Sequence, residues 1–193
     1  MPWYAPRFLV TSKMRDTIPQ YEALEGLAFK AYSFDAASGD FGGLYLWENP
    51  AAAKAWFNDA WFDRVRRERG AEGKVVAYNA VASIDVVPGG TPRMTDTAAA
   101  ATLIWQPDGA RVPDDAGSLA AAIRAAGDVS GLMRVHAVVT SGRRTGMLSI
   151  WQDAASADRF LARAAPSGAS VERFDVPILM PRAKSLQSLA GDR

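Results

Sequence analysis

Hydrophobic and polar positions alternate in short stretches of this chain, and stretches of helical periodicity lie between them. Residues 27–34 and 132–139 alternate and are rich in branched and aromatic side chains, which is typical of strands. Residues 44–47 and 147–151 form a second pair of short predicted strands, each preceded by glycine. Apolar residues then recur at helical spacing, so a helix is predicted after each of these later strands.

Both of these helices begin at a residue suited to capping. Asn49 and Asp153 stand at the N-cap positions, where a short side-chain oxygen accepts from the amides of the first turn, and Pro50 follows where its missing N–H costs nothing. The predicted apolar faces comprise Ala53, Trp56, Phe57, Ala60 and Trp61 in the first helix, and Ala157, Phe160, Leu161 and Ala164 in the second. Residues 58–73 have no counterpart in the second half and indicate a longer helix or an insertion.

The remaining elements complete the order βαββαβ in each half. The strands predicted in addition are residues 7–10 and 102–105 as first strands and residues 75–81 and 171–176 as fourth strands. An amphipathic helix in the second half is defined by Leu119, Ala122, Ile123 and Ala126. Pro19 interrupts the corresponding residues 12–25 of the first half, where we expect only a short or broken helix.

The two halves repeat each other at an offset of 104 residues. Residues 42–57 read GGLYLWENPAAAKAWF, and residues 146–161 read GMLSIWQDAASADRFL. The offset pairs Gly42 with Gly146, Leu44 with Leu148, Trp47 with Trp151, Asn49 with Asp153, Ala53 with Ala157 and Trp56 with Phe160. Continued upstream without a gap, it places Lys30 on Arg134 and Tyr32 on His136.

The repeat predicts an α+β fold of two tandem ferredoxin-like βαββαβ modules. Their antiparallel sheets would meet face to face as an intrachain, pseudo-dimeric α/β barrel. The predicted division is residues 1–87 for the first module, 88–97 for a linker, 98–181 for the second module and 182–193 for a C-terminal tail. The linker is placed where Pro88, Gly89, Gly90 and Pro92 fall close together.

Composition narrows the class of protein. Hydrophobic residues make up 49% and charged residues 22% of the 193 residues, which is typical of a folded chain with a packed core. With 22 basic and 21 acidic residues, charge gives no reason to expect nucleic acid or an anionic membrane as a partner. The absence of cysteine excludes disulfides and thiolate metal sites. Neither a signal peptide nor a membrane span is predicted, so we expect a cytoplasmic, bacterial protein.

Three segments of the first half resemble a known family. They are GLAFKAY at residues 26–32, FGGLYLW at 41–47 and AAAKAWFNDAWFDRV at 51–65. In this order they resemble the YdhR-like monooxygenase family of the dimeric α/β-barrel superfamily, which includes the antibiotic-biosynthesis monooxygenases. The resemblance implies a monooxygenase-like enzyme that acts on a small, aromatic or polyketide-like substrate in the barrel, as a pseudo-dimeric monomer or a homodimer. It carries over no catalytic motif. No cofactor is predicted, and the resemblance leaves haem or flavin as alternatives.

Strand alternation sorts the candidate site residues by face. The face expected under the helices carries Leu27, Phe29, Ala31, Leu44, Leu46, Met133, Val135, Ala137, Leu148 and Ile150. The face expected to line the barrel carries Lys30, Tyr32, Phe34, Tyr45, Trp47, Leu132, Arg134, His136, Val138, Ser149 and Trp151. Aromatic walls with a few polar groups are typical of a ligand site.

His136, the only histidine, is the candidate general base because its ordinary pKa lies near neutrality. It would take a proton from an acidic phenol or enol, with Arg134 or Lys30 steadying an anion that then reacts with O₂ without metal or flavin. The candidate substrate-binding residues are Tyr32, Tyr45, Trp47, Ser149 and Trp151. No metal site is predicted, since one histidine and no cysteine cannot form a multi-histidine or thiolate site.

Each candidate also has a purely structural interpretation. His136 could be a hydrogen-bonded strand residue, Lys30 and Arg134 could pair with acidic residues across the barrel, and the aromatic side chains could fill the sheet interface. The alternative function is a non-catalytic small-molecule-binding or assembly module of the same fold. RNA-recognition modules share the βαββαβ order, but Asp40 stands where their third-strand motif has a basic residue, and the charge is balanced.

Overall fold

The computed structural model describes residues 6–86 and 99–181, without the side chain of Pro181. The elements are α1 (Arg7–Asp16), α2 (Ile18–Glu22), β1 (Leu27–Asp35), β2 (Phe41–Trp47), α3 (Pro50–Trp56), α4 (Asp59–Arg69), β3 (Asn79–Asp85), β4 (Ala99–Trp105), α5 (Ala116–Ala125), β5 (Leu132–Val139), β6 (Thr145–Trp151), α6 (Ala154–Ala164) and β7 (Ser170–Pro181). The predicted linker, residues 88–97, and the predicted tail, residues 182–193, lie outside the described residues. None of the helices in the two described stretches has the length and apolar character needed to cross a membrane.

The described strands form one antiparallel sheet of seven strands, in the order β2-β1-β7-β4-β6-β5-β3. The long strand β7 pairs with β4 through residues 170–176 and with β1 through residues 174–181. At the other end of the sheet, β3 pairs with β5. The last strand of each half therefore pairs with a strand of the other half.

The sheet curls so that distant strands come into contact. β1 and β5 are four steps apart in the strand order, which in a flat sheet would separate them by roughly 19 Å. Instead, the ring centroids of Phe29 on β1 and His136 on β5 lie 6.5 Å apart. The architecture is a mixed α/β fold with a half-barrel sheet. We call the concave face the inner face and the convex face, which the helices cover, the outer face.

Helices cover the outer face of both halves. Leu119 and Ile123 of α5 pack with Val135, Ala137 and Trp151 of the second half. In the first half, α1 lies over β1 and β7. Its contact is a cluster of Val10, Met14, Tyr32, Phe34, Ile178 and Met180.

Residues 7–10, predicted as a first strand, belong to helix α1. The three-residue apolar run at residues 8–10 is too short to distinguish a strand from a helix, and in the structure Val10 and Met14, four residues apart, form the buried face of α1. The predicted short or broken helix over residues 12–25 is confirmed, because α1 ends at Asp16 and α2 begins at Ile18 with Pro19 in its first turn. The order βαββαβ is therefore complete only in the second half of the described chain.

Because residues 7–10 form a helix, the first half has no first strand among the described residues. In the second half the first strand, β4, lies between the third strand, β6, and the fourth, β7. The corresponding place in the first half is between β2 and β3, and these are the two ends of the sheet. No described strand occupies this place, so the half barrel is open between β2 and β3.

The helix predicted from Pro50 is two helices. The Asn58 side chain accepts from Trp61 N at 3.0 Å and donates to Ala55 O at 2.7 Å, and these bonds end α3 and cap α4. Trp56 and Trp61 consequently belong to different helices rather than to one helical face. The predicted N-caps are confirmed: the side chains of Asn49 and Asp153 accept from Ala52 N and Ser156 N at 2.9 and 2.7 Å.

The fourth strand of the first half also differs from its predicted range. Residues 75–81 were expected, but β3 covers Asn79–Asp85. Val75 and Val76 are exposed and precede the strand. This shift brings Ser83 and Asp85 into the sheet beside β5.

Candidate functional site

The offset of 104 residues holds for the third strands but not for the second strands. Tyr45 and Ser149 are 104 residues apart and pair with Lys30 and Val135, which are 105 apart. The reason is one additional residue in the first hairpin, where residues 35–40 join the paired Phe34 and Phe41, while residues 140–144 join Val139 and Thr145. A slip of one residue moves every side chain of a strand to the other face.

This shift exchanges the predicted faces of β1, and the predicted faces of β2 are exchanged as well. The residues on the outer face are Lys30, Tyr32, Phe34, Tyr45 and Trp47. The residues on the inner face are Phe29, Ala31, Leu44 and Leu46, which pack with Ile150 of β6. Phe29, not Lys30, corresponds to Arg134, and Ala31, not Tyr32, corresponds to His136.

In the second half the prediction is correct for most of β5 and reversed on β6. Arg134, His136 and Val138 lie on the inner face, but a bulge after Leu132 places Leu132 with the helix-facing residues and Met133 with the inner cluster. On β6, Trp151 packs against Phe160 of α6 and donates from Nε1 to Thr102 Oγ1 at 2.9 Å. Ser149 shares that outer face, whereas Leu148 and Ile150 lie on the inner face.

Of the predicted site residues, the structure brings Arg134 and His136 together. It separates them from Lys30, Tyr32, Tyr45, Trp47, Ser149 and Trp151, which lie on the outer face. Sequence reasoning missed Ser83, Asp85 and Phe29. The alternation of polar and apolar residues in ASID, residues 82–85, was the signal that could have identified the two polar ones.

Ser83 holds the His136 ring. Its Oγ lies 2.7 Å from His136 Nδ1, across the pairing of β3 with β5. His136 is 2% exposed, and its Nε2 has no hydrogen-bond partner in the described chain. Burial and, to a lesser extent, the charge of Arg134 lower the pKa of His136 to about 3, so the imidazole is neutral near pH 7.

Arg134 forms a buried ion pair with Asp85. Its Nε donates to Asp85 Oδ1 at 2.6 Å, and the two side chains are 1% and 0% exposed. The guanidinium also lies 4.8 Å from the ring centroid of Phe29. Asp85 is on the neighbouring strand, not across the barrel. Removing either partner would leave a buried charge uncompensated, at a cost of about 3–5 kcal/mol.

Two further polar atoms of this pair, Asp85 Oδ2 and Arg134 Nη2, are buried without a partner among residues 6–86 and 99–181. Together with His136 Nε2 they give the inner face one acceptor, one donor and one group able to do either. Buried polar atoms in native proteins are nearly always satisfied by protein, water or ligand. A ligand with both donor and acceptor groups would match this set.

A cavity of about 1880 Å³ reaches this site. Its inner-face lining includes Phe29, Leu44, Leu46, Ser83, His136, Val138, Leu148 and Phe174, but not Arg134 or Asp85. The same cavity is lined by Lys30, Tyr45 and Trp47 of the outer face and by residues 74–80 before and within β3. Residues of both faces line the cavity, so it extends through the region between β2 and β3, and the His136 ring forms part of its wall.

On the outer face, Lys30 lies in a cluster of tyrosines. Its Nζ is 2.8, 3.9 and 4.8 Å from the ring centroids of Tyr21, Tyr32 and Tyr45. Burial, and then the charge of Arg69, lowers the pKa of Lys30 to about 5. The contacts of Lys30 are thus aromatic, whereas those of Arg134 are ionic.

Within the described stretches, no group of three or more histidine, aspartate or glutamate side chains is placed to hold a metal ion. The polar side chains of the inner face contact each other in two pairs, His136 with Ser83 and Arg134 with Asp85.

Two solved structures share this fold. A protein from Lactobacillus acidophilus NCFM, named a "putative monooxygenase", aligns with a TM-score of 0.52 and 13% identity over 89% of this chain and 85% of that chain. A second protein of the same name, from Fusobacterium nucleatum subsp. nucleatum, aligns with a TM-score of 0.55 and 14% identity over 93% of this chain and 89% of that chain. At these identities the likeness establishes a monooxygenase-like fold. Neither a family model nor a curated protein matches the sequence.

Proposed function

We propose that the protein is a monooxygenase-like enzyme that oxidises a small, aromatic or polyketide-like molecule inside the curled sheet, with His136 as general base. The observation that carries this proposal is the buried, unpartnered Nε2 of His136, on a ring that lines a cavity with apolar walls. The fold shared with two proteins named as monooxygenases and the YdhR-like segments of the first half support it.

The base role requires one tautomer of His136. The proton must be on Nδ1, which donates to Ser83 Oγ and leaves the Nε2 lone pair for the substrate. A base with a pKa of about 3 takes a proton from a phenol or enol only as the substrate anion forms beside it, because that negative charge raises the imidazole pKa again. Arg134 lies on the same face with an unpartnered Nη2 but does not line the cavity, so its charge rather than a direct hydrogen bond would stabilise the developing anion.

The proposed reaction is R₂CH₂ + O₂ → R₂C=O + H₂O. Proton removal gives a carbanion, conjugated with the phenol or enol, that reacts with O₂ at carbon. One oxygen atom stays in the product and the other leaves as water, and the substrate carbon supplies the electrons. The enzyme contributes proton removal, anion stabilisation and a site shielded from bulk water.

The experiment is O₂ consumption by the purified protein with a panel of anthrone-type and phenolic substrates. We expect His136→Ala to lower kcat/KM by roughly 10²–10⁴-fold, the range for loss of a general base. Ser83→Ala should lower it less, and the matched control Ser149→Ala, which removes a buried hydroxyl from the outer face, should leave it unchanged. Turnover that survives His136→Ala contradicts the assignment of the base.

A non-catalytic binding module is the second candidate function. It is favoured by the low pKa of His136, which makes the imidazole a weak base, and by Asp85, which already neutralises Arg134. This function predicts quenching of tryptophan fluorescence by members of the same panel without O₂ consumption.

We also propose that the chain is a tandem duplication of a YdhR-like, ferredoxin-like module, with residues 1–87 and 98–181 as the two copies and a pseudo-dimeric monomer or homodimer as the assembly. A shared junction supports this. The carbonyl of Gly26 accepts from Glu48 N at 2.8 Å, and that of Gly131 accepts from Gln152 N at 2.7 Å. Both glycines have positive φ and both approach the first turn of the following helix, at Ala52 and Ser156.

A further inference from the structure

The environment of Lys30 is unusual for a lysine. Lysine side chains normally extend their ammonium group to water, but Lys30 is 2% exposed on the outer face of β1. Its Nζ lies among the rings of Tyr21 from α2, Tyr32 from β1 and Tyr45 from β2. This Lys30 pocket faces away from His136, because Lys30 and Phe29 are consecutive residues of one strand.

The Lys30 pocket belongs to a larger aromatic cluster that borders the cavity. Trp47 stacks on Tyr45, and Trp56 contacts Tyr21 edge-on. The indole Nε1 atoms of Trp47 and Trp56 are buried without a hydrogen-bond partner in the described chain. Lys30, Tyr21, Tyr45 and Trp47 all line the cavity. The pocket therefore combines an amine, aromatic walls and unused N–H donors beside open space.

The surroundings of Lys30 have opposing effects on the pKa of its amine. Burial disfavours the ammonium form, and Arg69 of α4 adds repulsion. Contact with the faces of the tyrosine rings favours the ammonium form, by about 0.5–2 kcal/mol per contact. Glu22 of α2 is the acidic group whose charge reaches Tyr32. Burial is the largest effect, and it leaves the amine neutral at pH 7, with the pKa of Lys30 near 5.

We propose that Lys30 is a nucleophilic amine that forms an imine with an aromatic aldehyde or ketone bound between strands β1–β2 and helices α2–α4. The aromatic walls select a flat substrate, and the indole N–H of Trp47, which lines the cavity, is the donor available to its carbonyl oxygen. This site is independent of the proposed oxidation at His136.

The step balances as Lys–NH₂ + R–CHO → Lys–N=CH–R + H₂O. The Nζ lone pair forms the bond to the carbonyl carbon, and the C=O π electrons move to oxygen, which takes up a proton. Loss of that oxygen as water, with both protons of the amine, gives the imine. Burial raises the pKa of Tyr32 to about 12 and that of Tyr45 well above its ordinary value, so these tyrosines stay neutral and do not compete with the amine for a proton. Both hydroxyls are therefore protonated at pH 7.

The experiment traps the imine in the wild-type protein. The probe is pyridoxal, an aromatic aldehyde, with sodium cyanoborohydride at pH 6, followed by peptide mapping. We expect at least tenfold more label on Lys30 than on Lys13, Lys54 or Lys74, which are exposed. Because these exposed amines are protonated at pH 6, their labelling should rise steeply up to pH 9, whereas labelling of Lys30 should stay level.

Two controls keep the result specific. Lys54→Met should leave the labelling of Lys30 unchanged, and His136→Ala should also leave it unchanged, so that this proposal and the oxidation at His136 fail or succeed separately. Labelling that follows exposure, or absence of label on Lys30 up to pH 8, overturns the proposal. In the ¹³Cε resonances of labelled lysine, titration of Lys30 above pH 9 would also overturn it, and this measurement needs no variant.

Discussion

At the scale of single residues, the two buried basic side chains, Arg134 and Lys30, are accommodated in different ways. A guanidinium cannot lose its proton in a protein, so Arg134 requires the carboxylate of Asp85. An amine can lose its proton, and Lys30 does so because burial and, to a lesser extent, the repelling charge of Arg69 lower its pKa. The sequence pattern suggested one shared role for Lys30 and Arg134. In the structure, Arg134 is a fixed charge paired with a carboxylate, whereas Lys30 is a neutral amine.

This difference gives a pH-dependent prediction for Lys30→Met. The pKa of Lys30 is about 5 in the folded protein and 10.5 for an unperturbed lysine, so between these pH values the unfolded chain binds one more proton. The free energy of unfolding should therefore rise with pH in this window, by about 1.4 kcal/mol per pH unit from this group. Lys30→Met should remove that slope and stabilise the protein at pH 7 by a few kcal/mol.

Urea unfolding of the wild type and the variant at pH 6, 7.5 and 9 measures this effect. The exposed Lys54→Met is the control and should keep the wild-type slope. Equal slopes in wild type and Lys30→Met would show that Lys30 stays charged in the folded protein.

At the scale of secondary structure, the sequence predicted most of the strands and where two helices start, but it misassigned residues 7–10, shifted the fourth strand of the first half and did not predict which faces the strands present. The inner face of β1 and β2 is itself a buried apolar surface, with Phe29, Leu44 and Leu46 packed against Ile150. An alternating pattern identifies a buried face only if the other face meets water. One additional residue in the first hairpin exchanged the faces of β1, whereas β2 and β6 were both assigned to the wrong face for want of an exposed side.

The sequence likewise predicted only part of the candidate site. His136 and Arg134 were found because β5 alternates clearly and carries both residues on the inner face. Ser83 and Asp85 were missed because the fourth strand was placed too early, on residues 75–81. The strand boundary depends on pairing with β5, which is distant in sequence, and local propensity does not report such pairing.

The junction before β5 gives a prediction at this scale. At Gly131, φ is +83° and an added Cβ would lie 2.6 Å from Ser156 Cβ, at the start of α6. Gly127 also has positive φ, +77°, but an added Cβ would meet nothing within 4 Å. Gly127→Ala should cost about 1 kcal/mol for its backbone conformation, and Gly131→Ala about 1–3 kcal/mol more, because α6 must shift.

Urea unfolding of the two variants gives the comparison. Equal losses of stability would mean that the helix yields to the added methyl group without cost, and that the close approach at this junction is not needed for packing.

At the scale of the whole molecule, the two halves complete each other. β3 of the first half pairs with β5, and β7 of the second half pairs with β1. The sequence repeat led us to expect two complete modules whose sheets meet face to face, but the described strands share one continuous sheet. The sequence of a last strand does not show that it pairs with the other half, because the same residues would suit either partner strand.

We predict that neither half folds alone. A fragment of residues 1–86 would lack partners for β3 and for the free side of β1, and a fragment of residues 99–193 would leave part of β7 unpaired. Mixed in equal amounts, the fragments should co-elute in size-exclusion chromatography and recover the circular dichroism of the intact chain. A cooperative unfolding transition in either fragment alone would contradict this view of the sheet.

The gap between β2 and β3 has a consequence for behaviour in concentrated solution. A closed barrel has no strand edges, whereas this sheet ends in two, and no described strand pairs with the outer side of either. Free N–H and C=O groups along such edges can pair with the same edges of another molecule. Gly42 and Gly43 make β2 a weak template for such pairing, but Val81 of β3 is an exposed β-branched residue. The same opening through which we propose a ligand enters would thus make β3 the segment through which the protein begins to aggregate.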